Sequence, residues 1–307
     1  MREKIRGLAD HLRSHIRGQD HVLTKVCPHI TRAELTPRKT ERPKASFLFL
    51  GPTGVGKTQL TKCLSHYLFG QDLLFRFDMS EFLHLDNVKF LIGDETGQTG
   101  RLGKVLSAQS RGILLFDEFE KAHRLIWDLY LQMLDAGRIT LADHHTYDLS
   151  EFYIICTSNI GSERLLRHSR LPYADLEKTM LIRLSRFMRP ELIGRFSEIA
   201  VFKPLSLDTQ IEIANMAIED ELAHLRQAGF TVIIDSKATE FLIRKGIHKT
   251  LGARPMRNTV EKFIGQAVGN AIVNNEHVFE GLVSVNEDHT ALILLPLPSG
   301  VNGHLSA

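Results

Sequence analysis

Phe47-Leu48-Phe49-Leu50-Gly51-Pro52-Thr53-Gly54-Val55-Gly56-Lys57-Thr58 is the stretch from which the rest of the chain can be read. The apolar run Lys44–Leu50 reads as a buried strand, and Gln59–Leu68 reads as a helix. Between them lies a G-x-x-x-x-G-K-[ST] octet. Its glycines permit backbone conformations that turn successive N–H groups inward onto phosphate oxygens, and the helix adds its positive amino end. Lys57 then reaches the β and γ phosphates, and the Thr58 hydroxyl binds Mg²⁺. Composition alone produces such an octet in about one chain in a hundred of this length. The strand before it and the helix after it therefore decide the reading in favour of a nucleotide site, with Gly51, Pro52, Thr53, Gly54, Val55, Gly56, Lys57, Thr58 and Gln59 as its binding residues.

About sixty residues on, Ile113-Leu114-Leu115-Phe116-Asp117-Glu118 forms a second buried strand with two acids at its carboxyl end. Asp117 is expected to hold Mg²⁺ through water, which makes Thr58 and Asp117 the metal residues. Glu118 is expected to polarise the attacking water as general base. Further short apolar runs recur at Leu74–Asp78, Phe152–Thr157 and Glu198–Phe202, separated by helical or loop patterns. Strands that alternate with helices imply parallel βαβ units and a doubly wound α/β sheet, which binds ligands at the carboxyl ends of its strands.

The flanks divide the chain further. Residues 1–35 have helical periodicity, and TPRKTERPK (36–44) is a loop by composition, giving an amino-terminal helical segment and linker over 1–43. The nucleotide-binding core is expected over 44–204. Beyond Pro204 the pattern becomes mainly helical (206–228, 236–245 and 255–275), with strand-like runs at 230–234 and 291–295. This predicts a smaller helical domain over 205–298 and a loose tail over 299–307.

Composition narrows the function. Among 307 residues, 43% are hydrophobic and 24% charged, with a net charge of +2, so no basic excess marks a nucleic-acid or anionic-membrane surface. No apolar run is long enough to span a bilayer, and the charged amino terminus carries no signal-peptide core, so a cytoplasmic protein with no membrane partner is expected. Cys27, Cys63 and Cys156 are far apart and read as reduced thiols. The adjacent His144 and His145 read as a solvated loop, since metal sites need three or four convergent ligands.

FLFLGPTGVGKT (47–58), DMSEF (78–82), LLFDEFEKAH (114–123), TSNIG (157–161) and GARP (252–255) occur in this order. Together they resemble the Clp/heat-shock-100 branch of the AAA+ ATPases, particularly the second ATPase module of its disaggregases, over residues 16–275. The resemblance implies an αβα P-loop core with a carboxy-terminal helical lid, ATP and Mg²⁺ as ligands, and a homo-oligomeric ring, usually of six. It also implies roles for individual residues. Ile16 and Gly18 in HIRGQ match the adenine-side segment, and Asn159 matches the sensor that orients the hydrolytic water. Arg195 matches the arginine finger that acts on a neighbour's γ-phosphate, although Gly194 stands where the family usually has Asn. Arg254 matches the second sensor, with Arg257 one turn on as its substitute.

One segment departs from the pattern. The family's pore loop carries an aromatic residue between glycines, and the equivalent here is Gly97-Gln98-Thr99-Gly100. An aromatic ring grips substrate side chains through apolar area at little entropic cost, whereas water competes for the hydrogen bonds of Gln98. From Met1 the sequence has no peptide-binding domain, first ATPase module or protease-docking loop ahead of the motifs, so a single-module protein outside the protease subunits is expected. The functional expectation is an ATP-hydrolysing ring that remodels or dissociates a protein partner. The alternative is an ATP-dependent assembly switch on a protein or DNA partner that does not thread polypeptide, with nucleic acid entering only through a partner.

Overall fold

Six consecutive buried residues, Ala45–Leu50, form the strand that centres the first unit of the computed structural model. The structure describes residues 2–37, 42–70, 73–168, 171–248, 250–274 and 279–297. Part of the expected linker (38–41) and the expected tail (299–307) lie outside these. Two compact units meet in sequence between Pro204 and Leu205.

In the first unit, α1 (Arg2–Arg6), α2 (Leu8–His15) and α3 (Asp20–Leu35) precede β1 (Ala45–Leu50) and α4 (Lys57–Phe69). They are followed by β2 (Leu74–Asp78), α5 (Leu85–Ile92), α6 (Arg101–Ala108), β3 (Gly112–Asp117) and α7 (Arg124–Ala136). A hairpin of β4 (Arg138–Thr140) and β5 (Thr146–Asp148) leads to β6 (Phe152–Ser158), α8 (Ser162–Arg167), α9 (Tyr173–Phe187), α10 (Pro190–Ile193) and β7 (Glu198–Val201). The five-stranded sheet has the order β2-β3-β6-β1-β7, and every pairing in it is parallel. The expected doubly wound α/β core is therefore present.

Both faces of this sheet are covered, which is why its strands read as continuous apolar runs. Leu48, Leu50, Leu114, Phe116, Ile154 and Cys156 join one cluster with Ile126, Tyr130 and Met133 of α7 and Leu176, Met180 and Leu184 of α9. The intervening residues Phe47, Phe49, Ile113, Leu115, Tyr153 and Ile155 are equally buried and face the other way. On that side His29 of α3 meets Phe47 edge-on, and Phe69 of α4 meets Tyr153.

The sequence reading and the structure differ in places. The helical pattern of residues 1–35 is three helices, because the chain turns at Gly7 and again through Ile16–Gln19, where Gly18 has φ 70°. The helix after the phosphate loop starts at Lys57, two residues before the apolar pattern starts. The β4–β5 hairpin is too short at three residues a strand to show a period.

The second unit comprises α11 (Leu207–Gln227), β8 (Thr231–Ile234), α12 (Ser236–Gly246), α13 (Arg254–Val273), β9 (Glu280–Val285) and β10 (Leu292–Leu295). β9 pairs with β8 in parallel and with β10 antiparallel. Its own core gathers Ile218, Leu222, Phe241, Leu242, Val260, Ile264 and Val283.

Phe116 is fully buried, stacked on Phe77 at 5.4 Å and set edge-on to Tyr130 at 5.1 Å. Phe116→Ala removes this packing and leaves a cavity, so it is expected to cost about 3–5 kcal/mol in urea unfolding, against about 0.5–1.5 kcal/mol for Ile154→Val on the same sheet face.

Candidate active site

The carboxyl ends of β1, β3 and β6 lie side by side, since Leu50 is in register with Ser158 and Phe116 with Cys156. The loop that leaves β1 turns through Gly51 (φ 152°), Gly54 (φ 76°) and Gly56 (φ 105°), conformations that side chains with a Cβ rarely adopt. At Gly51 there is also no room, because a Cβ would lie 2.7 Å from the Phe202 carbonyl oxygen. No side chain caps the start of α4 at Gly56. The first-turn N–H groups of Lys57 and Thr58 thus have no acceptor on their own helix and are available to an anion.

Lys57 is 8% exposed. Its Nζ donates to the Gly51 carbonyl, to the Pro52 carbonyl at 2.8 Å and to Asn159 Oδ1 at 2.9 Å. Burial pushes its pKa down from 10.5 to about 8, against the pull of Asp117, Glu120 and Glu118. The expected phosphate-binding lysine, sensor asparagine and both expected acids therefore share one locality.

Asp117 ends β3 and is 8% exposed. The Thr157 hydroxyl donates to its Oδ1, and Arg76 of β2 pairs with its Oδ2 at 2.7 Å. The chain then turns sharply. Glu118 has φ 54°, a left-handed conformation uncommon outside glycine, and its N–H donates to Thr157 Oγ1 at 3.2 Å. That turn carries its carboxylate off the strand, where Oε2 pairs with Lys121 at 2.5 Å. Thr58 and Asp117 offer the oxygen donors that Mg²⁺ takes, so their chemistry fits the expected metal. Gln59 donates its amide to Cys63 Sγ at 3.5 Å, along its own helix.

The adenine-side expectation falls close by. Ile16 is buried, and its Cγ2 lies 4.0 Å from where a Cβ on Gly56 would be. The sequence reading missed Gln19, which is fully buried. Its Nε2 donates to the carbonyls of Val55 (3.3 Å) and Lys203 (2.9 Å), while its Oε1 accepts the Lys203 N–H at 3.1 Å. Gln19 thereby ties the phosphate loop to the segment after β7. Glu120 was missed as well. Its Oε1 accepts the Asn159 N–H at 3.0 Å, and its buried Oε2 has no partner among the described residues.

Arg195 lies elsewhere. The Ser46 hydroxyl donates to its carbonyl at 3.3 Å, and the neighbouring Ser197 N–H donates to the Ser46 carbonyl at 2.8 Å. This sets Arg195 at the amino end of β1, whereas the phosphate loop leaves the carboxyl end. At ~3.3 Å per residue a six-residue strand separates the two by roughly 20 Å. The Arg195 guanidinium pairs with Asp135 at 2.6 Å. Arg254 is the exposed first residue of α13 in the second unit, and Arg257 pairs with Asp220 of α11 at 3.5 Å.

The segment bearing Gln98 closes on itself. Asp94 Oδ1 accepts the N–H groups of Thr96 (3.0 Å) and Gln98 (3.3 Å), and the Asp94 N–H returns to the Gln98 carbonyl at 3.1 Å. A Cβ on Gly100 would lie 2.3 Å from Gly93 N, so the two ends of the loop touch. The Thr99 hydroxyl bonds Asp143, which also accepts from Tyr147 Oη at 3.1 Å. His144 and His145 are exposed at the turn of that hairpin, as expected. No group of three or more metal-ligating side chains occurs among the described residues, nor is any helix there long and apolar enough to cross a membrane.

Residues 42–199 match the AAA domain (Cdc48 subfamily), and residues 205–285 match the C-terminal, D2-small domain of the ClpB protein. Chaperone protein ClpB of Aquifex aeolicus (strain VF5) is 37% identical over 291 residues, covering 89% of this chain and 29% of that protein. Heat shock protein 100 of Trypanosoma brucei brucei is 36% identical over 283 residues, covering 90% of this chain and 33% of the relative. The ATP-dependent Clp protease ATP-binding subunit ClpA homolog of Cyanidium caldarium is 32% identical over 314 residues, with coverage of 95% and 37%. The chain spans about a third of the length of these relatives.

Anion binding at Lys57 is expected to depend on pH. Below about 8 it is charged in the folded protein, and above that it loses its proton while the unfolded chain keeps it up to 10.5. Stability conferred through this group therefore rises with pH across that window, and anion affinity falls. A triphosphate draws the proton back, so its affinity in calorimetric titrations is expected to drop by up to about tenfold per pH unit above pH 8. Lys57→Ala is expected to abolish the binding at any pH.

Proposed function

Because the chain belongs to the Clp/heat-shock-100 branch of the AAA domain family, we propose that it binds Mg-ATP at the Gly51–Thr58 loop and hydrolyses it to ADP and phosphate within a homo-oligomeric ring that remodels a protein partner. The observation that carries this reading is the convergence of Lys57, Asn159, Asp117 and Glu118 on one sheet end.

The residues divide the work as follows. Lys57 leaves the Gly51 and Pro52 carbonyls for the β and γ phosphates, exchanging neutral acceptors for charged ones. The α4 amino end and the loop N–H groups receive the remaining phosphate oxygens, while Ile16 and Gly18 border the base and Gln19 holds the loop in place. Thr58, and Asp117 through water, would hold Mg²⁺, which when bound neutralises charge on the phosphates. Glu118, released from Lys121, takes the proton of the attacking water, and Asn159 orients that water. Arg254 acts on the ATP of its own subunit from the lid. Arg195, at the opposite end of the sheet, serves a phosphate bound by another copy, where its charge stabilises the transition state. A ring, six-membered by the resemblance, lets every subunit give and receive this arginine.

The closed loop at Asp94–Gln98 favours a second reading for the use of the energy. Its short self-bonded turn carries no aromatic side chain, which suits ATP-driven assembly or dissociation of a folded partner better than threading.

Glu118→Gln is expected to bind ATP but hydrolyse it at least ~100-fold more slowly in a phosphate-release assay. Arg195→Ala is expected to bind ATP, lose turnover by about 10³-fold or more, and recover part of it when mixed with Glu118→Gln subunits. Failure to recover in any mixture counts against a shared site. ATP-dependent unfolding of a tagged reporter separates the two uses of the energy: the remodelling ring unfolds it, and the assembly switch leaves it folded.

A further inference from the structure

We propose that Arg42 is a second cation acting with Arg195 on the γ-phosphate held by a neighbouring copy, and that Asp135 is the acid that stores both guanidinium groups in the lone subunit. The inference rests on the reading of Arg195 as an arginine that acts across subunits.

Asp135 sits in the last turn of α7. A single oxygen, its Oδ1, accepts from Arg42 Nη2 at 2.7 Å and from Arg195 Nη1 at 2.6 Å. Two cations on one carboxylate leave the trio with net positive charge. A cavity of about 790 Å³ is lined by Arg42 and Arg195 together with His29, Arg32 and Lys44. Lys44 is neutralised by Glu34 at 2.9 Å and Glu151 at 3.2 Å, and His29 faces Glu198 at 3.6 Å. The Arg32 guanidinium has no carboxylate partner among the described residues. Three guanidinium groups, those of Arg32, Arg42 and Arg195, thus line one cavity, and their planar forks match phosphate oxygens.

The contact with Asp135 is of the kind that exchanges readily. Both arginines and Asp135 are 39–50% exposed at the side chain, and exposed ion pairs contribute little to stability. A phosphate dianion outbids a single carboxylate oxygen for two guanidinium groups. Asp128, two turns earlier on α7, holds Arg189 in the same manner at 3.1 Å. One helix face thus supplies fixed acids that hold arginines from two separate segments, residue 42 before β1 and residues 189–195 before β7.

The experiment measures ATP turnover of the full chain against protein concentration for Arg42→Ala, Arg195→Ala and Asp135→Asn. Each is run alone and mixed with Glu118→Gln subunits, with binding of a fluorescent ATP analogue followed alongside. Arg42→Ala is expected to lose at least about tenfold in turnover while its analogue affinity stays within about twofold. Glu118→Gln subunits, which present an intact Arg42 to its nucleotide, are expected to restore part of the loss. Asp135→Asn is expected to reach half-maximal turnover at about fivefold lower protein concentration, because the arginines no longer leave a carboxylate. Wild-type turnover in Arg42→Ala, or a loss that no mixture restores while Arg195→Ala is restored, overturns the inference and leaves the Arg195 reading standing. If Arg195→Ala is not restored either, the underlying reading fails first. Should Arg42→Ala not fold, Arg42→Lys keeps the charge without the fork. A loss of at least about threefold at unchanged affinity then supports the inference, and wild-type turnover overturns it.

Discussion

Everything in the first unit turns on a lysine ammonium buried among the carbonyls of its own loop. Lys57 is held by Gly51, Pro52 and Asn159 and by the field of three acids, in a place where burial pulls its pKa down to about 8. In the proposed function this charge is what an incoming phosphate meets, and the surrounding structure keeps it there. Gly51 can take its position only because it has no Cβ to strike Phe202. Gln19 fastens Val55, 36 residues away in sequence, to Lys203, 184 residues away. The sheet register places Asp117 and Asn159 beside the loop.

The same sheet that gathers the residues around the phosphate loop sets Arg195 apart from them. Parallel strands send their carboxyl ends one way and their amino ends the other, so a side chain anchored before β7 faces away from the loop after β1. Arg195 and Arg42 occupy that far end with Asp135 between them. In the proposed function, copies packed head to tail complete such a site, and head-to-tail contacts close into a ring where the rotation allows.

Much of this was legible in the sequence, and the pattern of what was not has a physical cause. The phosphate loop, both acids and Asn159 stand at the ends of strands whose apolar runs announce them, because a sheet covered on two faces must be apolar throughout. The departure at Gln98 was equally plain, although only the structure brings out that Asp94 and Gly100 draw the loop shut. Gln19 and Glu120 escaped notice because their roles rest on single hydrogen bonds between segments far apart in the chain, and no spacing rule records those. Asp135 escaped for a simpler reason. It is one polar residue near the end of an amphipathic helix, where an acid usually just faces water.

The central claim is that one copy cannot complete the reaction. Its most direct test is the specific ATP turnover of the wild-type chain over a dilution series, with sedimentation velocity run at the same concentrations. Turnover per subunit is predicted to fall steeply as the oligomer gives way to single chains, while nucleotide stays bound. A turnover per subunit that holds constant into the range where only single chains sediment would contradict it.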